Sequence, residues 1–199
     1  MLRKRMRNVA LLVAVVIGTV VLGLARSAPA ASQATPDAQA KIENAMSAAP
    51  SAISDNATIL DYEQDDAGKF VVLRDGSNDW SCFPDLPSTP TNDPQCNDAT
   101  WMDWTYALFA GEEPNTTVPG LAYMLQGESA ASNTDPFATE PPAGEEWVST
   151  PAHVMVLLPG DLDQSVFSTD HSSGEPFIMW AGTPYEYIMM PVADAEHEE

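Results

Sequence analysis

The charge of this chain divides near residue 30, and that division decides how much of it is left to fold. Arg3, Lys4, Arg5, Arg7 and Arg26 are five of eight cations, while all 29 acids come later. A basic start, a 17-residue uncharged run from Val9 to Ala25, and the small-residue stretch Ser27-Ala28-Pro29-Ala30-Ala31 follow one another. This layout predicts a secretory signal over residues 1–30, cut after the A-x-A pattern Ala28-Pro29-Ala30. Cleavage after Ala34 is the alternative. An uncleaved anchor is the competing reading, although 17 residues is short for a membrane span and Gly18 and Gly23 weaken it. No cysteine follows the run to carry a lipid.

The remaining 169 residues suit one domain with a single core, expected over 31–192, with a disordered acidic tail over 193–199. They hold only Lys41, Lys69 and Arg74 against 29 acids, a net charge of −26. Nucleic acid is excluded as a partner, because no cluster of cations exists to displace phosphate counterions. Docking on an anionic membrane is disfavoured for the same reason, and stable insertion is not expected once the signal is gone. A cationic or small-molecule ligand remains open. The competing reading is that the acidity serves solubility alone.

Cys82 and Cys96 are the two cysteines of the chain. An isolated pair in an exported protein predicts a disulfide. It would close a 15-residue ring, for which chain entropy gives about 3 kcal/mol. Pro84, Pro87, Pro90 and Pro94 already restrict the ring in the unfolded chain, so the gain is expected to be smaller. A zinc or redox site is not expected, since the spacing is not C-x-x-C and no histidine lies nearby.

Thr35-Pro36-Asp37 opens a helix over about 36–48, with Ile42, Ala45, Met46 and Ala49 at helical spacing and Pro50 as the stop. Residues 57–62 and 69–73 read as a hairpin about the turn 64–68. Asn97 or Asp98 caps a second helix, 99–110, closed by Gly111. Trp101, Met102, Trp104, Tyr106, Leu108 and Phe109 leave it little polar face, so burial on most sides is expected. Further strands are expected over 121–125, 153–158, 177–180 and 185–190, the second central and the last two a hairpin. Residues 128–146 read as a long polar excursion. These elements predict an α+β fold: a small, mostly antiparallel sheet, about two helices, long proline-rich loops and one disulfide.

Several constellations invite chemistry. Gly127-Glu128-Ser129-Ala130-Ala131 resembles a nucleophile elbow but lacks the final glycine and the helix that should follow. Ser129 with His153 or His171 would make a hydrolase, as would a carboxylate pair. His153 and Met155 share a strand face and could hold copper with Met179 or Met189; core packing is the competing reading. Asp161, Asp163 and Asp170 begin like a calcium loop, but Val166 stands where glycine is needed and Ser172 where an acid is. Trp101 and Trp104, three apart on one helix, read as core rather than as a ligand platform. No metal set has convincing spacing and no cofactor is expected.

Trp80-Ser81-Cys82-Phe83-Pro84-Asp85, Cys96-Asn97-Asp98 with Trp101-Met102, and Tyr123-Met124-Leu125-Gln126-Gly127 form a combination with segments further on. Those are Ser132 to Ala138, His153-Val154-Met155 and Met179 to Tyr185. Together they resemble a family of small exported bacterial proteins with no assigned function. The resemblance implies one exported domain, with the two cysteines paired, and supplies no activity. The reading is therefore a secreted or periplasmic binding or accessory protein of the bacterial envelope. A small hydrolase using carboxylates or Ser129 and His153, and a structural envelope protein without a ligand site, are the alternatives. Ligand contacts are expected at His153, Gln126, Asn133, Asp135 and Trp80, where polar and aromatic groups fall mainly in irregular segments.

Overall fold

A computed structural model describes residues 35–193. The expected signal, 1–30, and residues 194–199 of the expected tail lie outside them. The helix α1 (Pro36–Met46) starts as its sequence dictates: Thr35 Oγ1 accepts from the Ala38 N–H at 3.3 Å, and Asp37 stands in the first turn. Pro50 does more than stop the chain. It is the N-cap of a one-turn helix α2 (Ser51–Ser54), which the sequence reading did not anticipate.

The hairpin β1 (Thr58–Gln64) and β2 (Phe70–Arg74) turns at Asp65, whose Oδ1 accepts from the Ala67 and Lys69 N–H groups, both at 2.9 Å. Strands β3 (Ser81–Phe83) and β4 (Gln95–Asn97) then place Cys82 directly opposite Cys96, and the two are joined as a disulfide. The helix α3 (Ala99–Ala110) is capped by Asp98, whose Oδ1 accepts from the Trp101 N–H at 2.8 Å. It ends on Gly111 in the left-handed region at φ 67°. The chain continues through β5 (Gly120–Met124), β6 (Glu128–Ala130), β7 (Val148–Thr150), β8 (His153–Leu157), β9 (Phe177–Met179) and β10 (Tyr187–Pro191).

Eight strands form one sheet in the order β2-β1-β3-β4-β5-β8-β10-β9, and β6 pairs with β7 in a second, two-stranded sheet. All pairs are antiparallel except β1 with β3. The fold is thus α+β, with β8 central as expected and with three helices rather than two. The polar excursion of 128–146 begins as strand β6, which the sequence reading did not anticipate.

Successive strand residues point to opposite faces, and this sorts the core. Ile59, Cys82 and Cys96 pack with Ile42, Ala45, Ala48 and Ala49 at α1. Their neighbours Leu60 and Phe83 pack with Phe70 and Met102 on the α3 side. Further along that face, Trp101 and Trp104 meet Met124, Met155, Leu157, Phe177, Met179, Tyr187 and Met189. The sheet therefore lies between α1 and α3. In α3 only Trp101, Met102, Trp104 and Thr105 are buried, while Asp103 and the end at Phe109 and Ala110 are exposed, which corrects the expectation of a helix buried on most sides. The sheet has two faces to cover and α3 is applied to one of them from outside.

Candidate functional site

His153 opens the central strand β8 opposite Met124, so its ring enters the α3 face of the core. It is fully buried, and its Nδ1 lies 2.7 Å from the Pro151 carbonyl oxygen. A carbonyl can only accept, so Nδ1 carries the proton and Nε2 keeps a lone pair. Burial holds the imidazole down to a pKa of about 4, against the smaller opposing effect of the Pro151 contact.

The group facing that lone pair is Glu128, whose Oε2 is 4.0 Å from His153 Nε2. Its side chain is 11% exposed and comes from β6, across the ladder from Thr150. Desolvation pushes the Glu128 carboxyl up to about 8, with a further push from the Asp93 charge. At neutral pH the two groups are therefore a carboxylic acid beside a neutral imidazole. Between them they share one proton more than two isolated groups would hold. Tyr187, also enclosed, has its phenol driven well above the ordinary range by burial and then by Glu128. Glu128 Oε1, Thr150 Oγ1 and His153 Nε2 are all buried without a hydrogen-bond partner. Gly127 sits beside them at φ +86°, where a Cβ would lie 2.9 Å from the Thr150 carbonyl oxygen.

Sequence reasoning passed over Glu128, treating it as the middle of an elbow motif. Its partner is 25 positions away; the β5–β8 pairing that sets Met124 opposite His153, the turn at Gly127 and the β6–β7 ladder bring them together. The Ser129–His153 arrangement is not formed: with Nδ1 on a backbone carbonyl and Nε2 unpartnered, His153 makes no hydrogen bond to Ser129. Ser129 is itself buried. Met155, Met179 and Met189 fill the apolar cluster with the tryptophans, as the core reading required. Asp163 and Asp170 serve their own turns, accepting from Ser165 and Ser172. No group of three or more histidine, cysteine or acidic side chains is placed to hold a metal among the described residues.

The five expected ligand contacts are not one constellation. His153 is sealed, so its expected role in touching a ligand is corrected. Gln126 is exposed but spends its amide on the Ser47 carbonyl, 3.1 Å away. Asn133 ties its loop to Thr169 at 2.9 Å, and Asp135 accepts from the Phe137 N–H in a local turn. Trp80 leans on Tyr123, ring centroids 5.6 Å apart, next to the disulfide.

Open space lies elsewhere. A cleft of about 420 Å³ separates the β1–β2 turn from α3, lined by Gln64, Ala67, Gly68, Asp103, Tyr106, Ala107, Phe109, Ala110 and Glu112. A second, of about 550 Å³, is lined by Glu113, Asp161, Gln164, Thr183 and Glu186 among others. In it Glu186 is already engaged, accepting from the Leu162 and Gly182 N–H groups at 2.6 and 2.8 Å. Comparisons with protein-family profiles, with curated proteins and with solved structures found no match.

Proposed function

We propose that this chain is an exported, non-catalytic binding or accessory protein of the bacterial envelope. The observation that carries the reading is the sealing of His153. A general base must reach the proton it removes, and this imidazole reaches only Pro151 and Glu128. The joined cysteines support an oxidising compartment, and the cation-poor surface supports a partner that is not nucleic acid. Clefts of about 420 and 550 Å³ fall in the range of small-molecule sites, roughly 300–1,000 Å³, which favours a binding role over a purely structural one.

Two measurements test this. Mass spectrometry of the exported protein should find a chain beginning at Ala31, or at Thr35; a retained leader overturns export by cleavage. A thermal-shift screen with Ca²⁺, copper ions, sugars and organic amines should find at least one stabilising class, because a ligand bound only to the folded state raises Tm. Finding none overturns the binding reading in favour of the structural one.

A further inference from the structure

We propose that the cleft between the β1–β2 turn and α3 is a binding site for a small organic cation with an apolar body. The proposal rests on the binding reading and names its site and ligand class.

The wall from α3 is a stripe. Asp103, Tyr106, Ala107 and Ala110 fall at i, i+3, i+4 and i+7, so they share the helix face turned to the cleft. Asp103 and Ala110 are therefore two turns apart, about 10 Å along the axis. One carboxylate stands at the Asp103 end, and Glu112 brings a second beyond the helix terminus. Between them the floor is apolar and aromatic. Phe109 is 48% exposed, unusual for a phenylalanine. One face of its ring stacks on Tyr62, with centroids 6.2 Å apart and planes 12° from parallel. Phe70 packs against it with centroids 5.1 Å apart and planes 88° apart, so two neighbours fix a ring that still lines the cleft.

An aromatic face held rigid by packing attracts a cation through its quadrupole. Carboxylates at both ends add the charge that separates a cation from a neutral molecule of the same shape. The opposite wall, Gln64, Ala67 and Gly68, brings no charge. Of the three cations beyond the leader, Lys41 is paired with Asp61 and Arg74 is bound to the Ser54 and Ala57 carbonyls. Lys69, the third, adjoins Gly68 but does not line the cleft. A volume of about 420 Å³ suits a free small molecule rather than a folded partner.

The test is a titration of the ¹⁵N-labelled protein with phenethylammonium, in parallel with 2-phenylethanol and a short lysine–phenylalanine peptide. The proposal expects amide shifts confined to residues 64–68 and 103–112, with the alcohol at least tenfold weaker. Asp103→Asn with Glu112→Gln should weaken the amine ~5–10-fold and raise its salt tolerance, and Phe109→Leu ~3-fold. All are surface changes, and an unchanged Tm for the carboxamide pair shows that the fold is intact. Equal binding of the alcohol, shifts elsewhere, binding of the peptide alone, or no shift at millimolar amine each overturns it. A ligand that stabilises the protein while mapping outside the cleft removes this proposal and leaves the binding reading standing.

Discussion

The two faces of the sheet are stabilised by different means. On the α3 face bulk does the work: Trp101, Trp104, Trp180, Tyr185 and Tyr187 meet at centroid distances of 5.2–6.3 Å, with four methionines filling between them. On the α1 face the buried residues are mostly small, with Ile42 and Ile59 the larger ones. Ala45, Ala48, Ala49 and Ala57 surround the disulfide, and little apolar area is available per residue. That face is tethered instead. Arg74 bonds to two carbonyls, Asn78 donates to Ile53, and Asn44 accepts from the Asp85 N–H while donating to Asn92. Within the cysteine ring Asp93 accepts from Leu86 and Thr89, and Asp85 accepts from the Asp93 N–H. Small residues permit close backbone approach, and the lost hydrophobic burial is offset by directional bonds and one covalent link.

Four changes test this contrast, in descending order of expected effect. Phe177→Ala, in the bulk-packed face, should cost about 3–5 kcal/mol by denaturant titration, because Phe177 is almost fully buried. A cost under ~1 kcal/mol would mean that this face is loosely packed. Gly76→Ala attacks the tethered face: a Cβ there would lie 2.2 Å from the Thr58 nitrogen and 2.4 Å from the Ala57 carbonyl carbon. Backbone must move, so a loss of ~3 kcal/mol is expected, although Gly76 is not in the left-handed region. Replacing both Cys82 and Cys96 by alanine should cost ~2 kcal/mol, below the chain-entropy figure because of the ring prolines. It should alter Trp80 fluorescence and leave the near-ultraviolet signal of Trp101, Trp104 and Trp180 unchanged. Loss of both signals would show that the faces are not separable.

The smallest effect is in the pH profile. Glu128, raised to about 8 from 4.5, favours the folded state below 4.5 and loses that advantage as pH rises through 8. His153, lowered to about 4 from 6.5, favours it above 6.5 and loses that as pH falls through 4. Between 4.5 and 6.5 folded and unfolded pairs each hold one proton, so the pair adds no slope. Stability should then fall from pH 6.5 to 8, by on the order of 1 kcal/mol per unit. Tyr62, Tyr187 and Asp93 couple to Glu128 by charge, so their ionisation opposes its own. Glu128→Gln should flatten the slope above 6.5. A slope unchanged in that variant would assign it to other groups.

Local signals made much of this fold legible. Thr35, Asp98 and Gly111 mark helix ends because caps satisfy backbone groups within a few residues. The β1–β2 and β9–β10 hairpins and the buried strand of His153 follow from apolar runs between turn residues. The cysteine pairing follows from the count and from the expectation of export. What escaped depends on distance. β6 and β7 are three residues each, separated by 17 positions, and neither has an alternation long enough to read. The Glu128–His153 contact depends on that pairing and on the β5–β8 register, set between strands far apart in sequence. The exposed end of α3 escaped because apolar content says nothing about which half of a helix its sheet reaches. Asn133 and Asp135 looked like ligand contacts because they are polar and irregular; their bonds hold the loops that carry them.

The central claim is that His153 is a sealed, neutral core group rather than a catalytic base. Long-range ¹H–¹⁵N spectra of the imidazole across a pH titration test it directly. The account expects the Nδ1–H tautomer, with no protonation until the pH nears 4. Titration near the ordinary 6.5, or an Nε2–H tautomer, would contradict it.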